Sequence, residues 1–312
     1  MSIQAAHSAT TRPVLGILLM LGFVVFGPTI DVFAKLAGET IPLFQISASR
    51  FVVQIMIILP FALWFGGRLL PSVSDSLLYL TRGALILSAT SLFFAALRNL
   101  PLADALAIFF VEPFILLLLA AVLLKEKLGW RRLSACGVGF SGALLVIQPQ
   151  YDTIGFASLF PIGTAVCFAF YLLLTRKMAR HISPITLQFN TSIAAAVIIV
   201  PVIIIYEGSG NAYLDPVWPS FYDALLLAGV GLTATIAHMF LTYAFRFCPV
   251  TILGPLQYLE LVSATIFGLI IFSDLPNTTS FIGMGIIVAS GLYVLIREHA
   301  LQKSRAQCGD TP

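Results

Sequence analysis

Residues 102–128 read LADALAIFFVEPFILLLLAAVLLKEKL. From Ala105 to Leu124 about twenty residues are almost wholly apolar, enough at ~1.5 Å per residue to cross a ~30 Å hydrocarbon core. Lys125-Glu126-Lys127 ends the run, and Glu112 sits near its middle, directly before Pro113. A carboxylate at that depth costs at least ~2.5 kcal/mol, so it is expected to face protein or a wet cavity. The pattern returns over residues 254–275, GPLQYLELVSATIFGLIIFSDL, with Glu260 at the centre and Asp274 at the far end. Glu112 and Glu260 are 148 residues apart, and so are Glu126 and Asp274. The two stretches read as equivalent helices in two copies of one membrane unit.

The composition agrees. Hydrophobic residues make up 59% of the 312, charged residues 10%, and the mean hydropathy is +0.99. Soluble domains carry about 25% charge. The net charge of +3 lies in loops between apolar spans, which argues against a nucleic-acid partner. Cys136, Cys167, Cys248 and Cys308 form no CxxC pair, so neither a disulfide framework nor a metal site is expected. No cofactor is expected either. The apolar run from Val14 to Leu36 is longer than a signal-peptide core and reads as a first spanning helix that is retained.

Ten apolar segments can be placed: Val14–Leu36, Leu43–Phe65, Ser76–Leu97, Leu102–Leu124, Leu133–Ile147, Phe156–Met178, Ile185–Tyr206, Ser220–Phe245, Val250–Phe272 and Ser280–Ile296. The fifth and tenth read as short. With the N-terminus inside, fourteen Lys and Arg residues fall on the cytoplasmic side, and only Lys35 and Arg98 fall outside. Arg50 lies within a span, and Arg82 is counted among the cytoplasmic loop charges. This bias predicts a cell (inner) membrane protein with both termini cytoplasmic.

The repeat extends beyond the glutamates. Pro101 matches Pro249 and Gly137 matches Gly285 at the same offset, while Phe26 matches Phe168 and Pro42 matches Pro184 at an offset of 142. Five helices per copy is an odd number, so the second copy enters from the opposite face. The expected fold is an all-α membrane protein of ten transmembrane helices in two inverted five-helix repeats. The expected divisions are residues 1–12 (N-terminal tail), 13–148 (first repeat), 155–297 (second repeat) and 298–312 (C-terminal tail).

The chain resembles the drug/metabolite transporter superfamily in its ten-helix EamA-type branch. The resemblance rests on the two five-helix units, Leu124-Lys125-Glu126-Lys127-Leu128, and the helix that follows with Gly137-Val138-Gly139-Phe140-Ser141-Gly142-Ala143. It also rests on the counterparts Phe272-Ser273-Asp274-Leu275, Gly283-Met284-Gly285 and Ser290-Gly291. It covers nearly the whole chain. It implies a secondary carrier working by alternating access on a small polar organic metabolite, such as an amino-acid-like compound or a vitamin, riboflavin included. Central glutamates are not general to the family, which points to this protein's own substrate.

Glu112 and Glu260 lead the site candidates, as proton or substrate-cation ligands in a central cavity. Arg50 lies at a depth compatible with Glu112 and is read as its partner or as an anion clamp. His238 could relay protons to Glu260. Tyr258, Tyr171, Gln257 and Asn190 are read as cavity-lining, and Gln54 and Gln188 as bridging helices. Asp31 and Lys35, i and i+4 near the outer end of the first helix, are read as an interfacial pair. Gly27-Pro28 just before them marks a place where that helix can break. Glu126 and Asp274 are read as structural or gating groups. Proton coupling and a homodimer are both compatible with this pattern.

Other function classes find less support. No GxxxxGK[ST] is present, so the chain does not drive itself with ATP. A membrane-embedded enzyme would need a catalytic constellation, and neither HExxH nor GxSxG occurs. A passive channel or a non-transporting sensor would not need two inverted units around a charged centre.

Overall fold

The computed structural model describes residues 13–64, 73–124, 130–178, 182–247, 253 and 256–308. All regular structure among them is helical: α1 (Pro13–Ala37), α2 (Leu43–Trp64), α3 (Val73–Leu97), α4 (Leu102–Phe109), α5 (Glu112–Leu124), α6 (Trp130–Ile154), α7 (Phe160–Met178), α8 (Pro184–Ile205), α9 (Phe221–Phe247), α10 (Leu259–Phe272) and α11 (Thr278–Cys308). A short 3₁₀ turn, Gly155–Leu159, joins α6 to α7. With α4 and α5 as two halves of one span, there are ten spans. Six of the helices are long and apolar enough to cross a membrane on length and composition alone. Helices are what such a sequence must form in lipid, because every backbone N–H and C=O has to be satisfied within the segment.

The packing carries the repeat. α1 lies against α9 and α3 against α7; α2 lies against α8, α4 against α10, and α6 against α11. Secondary contacts join α2 to α9, α3 to α8, α1 to α10, and α5 to α7. Exchanging the first five spans for the last five maps this set of neighbours onto itself. With five spans in each half, the two halves run in opposite senses.

The α6–α11 contact is backbone on backbone. A Cβ at Gly142 would meet the carbonyl of Gly283, and a Cβ at Gly283 would meet the carbonyl of Gly142. Glycine at both positions is what lets these helices touch.

Four features depart from the expected spans. The fourth is not one helix: it stops at Phe109 and restarts at Glu112. Pro113 stands at the second residue of the restarted helix, where its missing N–H leaves no intrahelical hydrogen bond unmade. The fifth and tenth spans are long, because α6 and α11 continue through polar residues beyond their apolar cores. α1 runs unbroken through Pro28, so no half-helix forms at Gly27-Pro28. Arg82 is not a loop charge. It lies within α3, fully buried.

One end of the bundle is tied together by polar contacts, most of them between the halves. Lys35 at the end of α1 meets Asp274 beyond α10 at 2.7 Å, with the Phe272 ring under its Nζ. Thr40 donates to Asp223 at 2.6 Å, and Arg98 donates to Ile41 O at 2.7 Å. The segment after α8 returns over α2: Gln45 exchanges two hydrogen bonds with Val217, and Phe44 N–H donates to Tyr213 O.

Candidate functional site

A cavity with about 800 Å³ of space between atoms, including its mouth, lies where α1, α2, α3, the α4–α5 break, α7, α9 and α10 converge. Six phenylalanines contribute to its wall: Phe23, Phe93, Phe94, Phe109, Phe110 and Phe168. Edge-to-face contacts of Phe109 with Phe93 and Phe168, at 5.9 and 5.6 Å between centroids, fix those rings. Into this apolar chamber point Asp31, Arg50, Glu112, His238, Gln257 and Glu260.

The helix break places the two glutamates. Glu112 opens α5 and Glu260 is in the first turn of α10, and each follows an interruption of its span. Both are buried. The positive end of each half-helix therefore lies at a carboxylate, which moderates the cost of holding it there. Gly27 on α1 sits directly against Glu260: a Cβ there would overlap its Oε1. Asp31, one turn further along the same face of α1, acts electrostatically on both Arg50 and Glu260.

Arg50 is the cavity's cation. Its Nη1 donates to Thr90 and its Nη2 to His238 Nε2, while its Nε–H is buried with no acceptor. An imidazole that accepts at Nε2 carries its proton on Nδ1 and is neutral. Three carboxylates and one guanidinium thus line the same chamber. The arrangement suits a ligand that carries an excess of positive charge, an acceptor for Arg50, and a flat apolar body.

A family model for the EamA-like transporter family matches residues 14–148 and 155–296, nearly all of the chain and one match per half. The chain belongs to the EamA-like transporter family. It is a multi-pass membrane transporter and not an enzyme. Among its relatives in this family, an S-adenosylmethionine uptake transporter of Rickettsia prowazekii is 26% identical over 290 residues, covering 93% of this chain and 95% of its own. A riboflavin transporter of Brucella anthropi is 27% identical over 265 residues, covering 85% and 92%. A solved crystal structure at 18% identity superposes with a TM-score of 0.62 over 92% of this chain and 98% of its own, which supports the fold alone.

The residues singled out in this EamA chain separate into groups. Glu112, Glu260, Arg50, His238 and Gln257 meet at the cavity. Tyr258 does not line it, but its ring lies 5.3 Å from Phe110, which does. Tyr171 and Asn190 lie elsewhere: Tyr171 receives a hydrogen bond from Arg82, and Asn190 donates to Thr186 O. Gln54 accepts from Ser192 and Gln188 accepts from Arg82, so both bridge helices. The expected Asp31–Lys35 pair is corrected. Asp31 turns into the cavity and Lys35 reaches across to Asp274, because a partner from the other half lies closer than the next turn of its own helix. Glu126 lies outside the described residues.

Among the charges that sequence reasoning passed over, Arg82 and Asp104 are the most deeply buried. Arg82 meets Thr175, Leu187 O, Thr191, Tyr171 and Gln188 with its five N–H groups, and no carboxylate is among these partners. Asp104, on α4, is 1% exposed and accepts from Gln150 at 2.6 Å. Asp104 could have been flagged by the rule used for Glu112, since it too lies in the fourth span.

Proposed function

We propose that this EamA transporter is a secondary carrier for a net cationic compound with an amino-acid head and a planar ring, with S-adenosylmethionine as the first candidate. The observation that carries the reading is the cavity lining: three carboxylates against one arginine whose Nε–H lacks an acceptor, inside a phenylalanine wall. S-adenosylmethionine offers an ammonium and a sulfonium to Glu112, Glu260 and Asp31, a carboxylate to Arg50, and an adenine to the aromatic wall. The names of the Rickettsia relatives support the same choice. The aromatic wall also fits riboflavin, which the Brucella relative is named for, but riboflavin brings no cation to the carboxylates.

In this reading the chain sits in the cell inner membrane with both termini cytoplasmic, and the Lys35 end faces outward. Counterflow in proteoliposomes tests the substrate. S-adenosylmethionine on one side should accelerate saturable entry of labelled S-adenosylmethionine from the other, and S-adenosylhomocysteine, which lacks the sulfonium charge, should compete less well. Trans-stimulation by riboflavin with none by S-adenosylmethionine would overturn the assignment.

A further inference from the structure

Asp104 is a buried carboxylate that the cavity does not use. α4 turns Leu106, Phe109 and Phe110 to the cavity, whereas Asp104 is not part of that lining and faces α6 and α11. Its Oδ2 accepts from Gln150 of α6 at 2.6 Å. Its Oδ1 is buried as well, and Ser280 of α11, fully buried, is its polar neighbour on the other side, a hydroxyl able to donate to the carboxylate. Gln150 and Ser280 are both neutral, so the cluster holds a buried carboxylate with no cation of its own, which is costly as long as it stays charged. The oxygens present are too few to coordinate a metal cation, which takes about six or more. One proton on the carboxyl would remove the charge.

The charges around it limit what else could compensate Asp104. α4 is packed by α3, α6, α7, α10 and α11. Asp274, just past α10, is a like charge acting on Asp104. Arg98, just past α3, is committed to Ile41 O. α6 presents neutral Gln150 and an exposed Asp152, α11 presents neutral Ser280, and the described side chains of α7 bring no charge. Lys35, from α1, also touches Leu100 O just ahead of α4 at 3.4 Å, but its charge is taken by Asp274.

We propose that Asp104, Gln150 and Ser280 form a proton-binding site behind α4, separate from the substrate cavity, whose occupancy sets whether the Lys35 end of the bundle is closed. With the proton bound, Asp104 is neutral, α4 docks against α6 and α11, and Lys35 stays with Asp274. When the proton leaves to water at that end, Asp104 is a carboxylate in need of a cation. Lys35 then turns from Asp274 to Asp104, and the tie between the halves is broken. The proton thereby couples to the gate without entering the substrate site. The site stands on the cluster itself; only its effect on transport rests on the carrier reading.

The test has a substrate-free arm and a transport arm. In pH-jump infrared difference spectra of the reconstituted protein, a carboxylic-acid C=O band should appear on acidification, be lost in Asp104→Asn and shift in Ser280→Ala. In proteoliposomes, Asp104→Asn mimics the protonated state, so net S-adenosylmethionine transport should be lost along with its pH dependence. Ser280→Ala removes a donor to the carboxylate and so holds the proton more tightly, and its pH profile should move to higher pH. A band unchanged in Asp104→Asn, or wild-type pH dependence of transport in that variant, would overturn the site. If S-adenosylmethionine is not carried, the infrared arm still decides the proton site while the substrate assignment fails by itself.

Discussion

Arg82 is held in α3 by five neutral oxygens drawn from α7 and α8, so it joins the two halves without an ion pair among its described contacts. Replacing it with Met strands those acceptors, and hydrogen bonds to a charged group are each worth about 1.5–3 kcal/mol. Arg82→Met should therefore lower stability in detergent by on the order of 3 kcal/mol or more. Arg82→Lys should recover little, because an ammonium lacks the planar fork. A melting temperature within a few degrees of wild type in either variant would contradict this. In the proposed carrier the cavity charges serve the ligand and should behave differently. Glu112→Gln and Glu260→Gln keep the shape and remove the charge, so both should stay folded and lose net transport. Gly27→Ala should do the same indirectly, because the added methyl group displaces Glu260 Oε1. Arg50→Leu combined with Glu112→Gln should cost less than the sum of the single changes if the two act on one ligand. Wild-type net transport in the double Gln variant would remove both carboxylates from the site. The glutamates and Arg50 were legible in the sequence because a charge in an apolar span stands out. Arg82 was not, because it lies near the start of its span and reads as a loop cation. The Asp31–Lys35 pair was misread because an i,i+4 lysine is visible in sequence while the partner of Lys35, 239 residues away, is not.

At the scale of the helix, apolar runs fix where spans exist but not whether a span is continuous. The fourth span reads as one unit of about twenty apolar residues, yet it is two helices, and hydropathy does not register that Pro113 lacks an N–H. The same insensitivity shortened α6 and α11 on paper, because helix continues where apolarity stops. The glycines of these two helices give a matched experiment. Gly142 and Gly283 face each other's backbones, whereas Gly137 and Gly285, the pair aligned by the repeat, have no atom within 4 Å of an added Cβ. Gly142→Val and Gly283→Val should separate α6 from α11 and destabilise the protein by about 1–3 kcal/mol each. Gly137→Ala and Gly285→Ala should be neutral or slightly stabilising, as expected for an exposed helical glycine. Thermal unfolding followed by tryptophan fluorescence would compare the four directly. Equal losses at all four positions would mean that the α6–α11 contact is not where the structure puts it.

For the molecule as a whole, the inverted repeat was legible because its offset recurs along the chain, but the closed end was not, since it depends on how the halves meet. Alternating access requires that one end of the bundle seal while the other opens. The Lys35–Asp274 contact joins α1 of the first half to the end of α10 in the second. Both side chains are partly exposed, at 20% and 34%, so the pair adds little stability by itself, about 0–1 kcal/mol, and forms or breaks at low cost. A contact that is geometrically good yet energetically small suits a gate better than a girder. The prediction is made in a protein whose Cys136, Cys167, Cys248 and Cys308 are changed to Ser. Lys35→Cys and Asp274→Cys together, bridged by a short bifunctional thiol reagent, should trap this end closed. Net transport should then be lost while the protein remains folded and binds substrate added from the other side, and a cleavable bridge should restore transport on reduction. Either single cysteine treated with the same reagent should transport as before treatment. Undiminished transport in the bridged protein would mean that this end does not open during the cycle, and the two halves would have to move about a different contact.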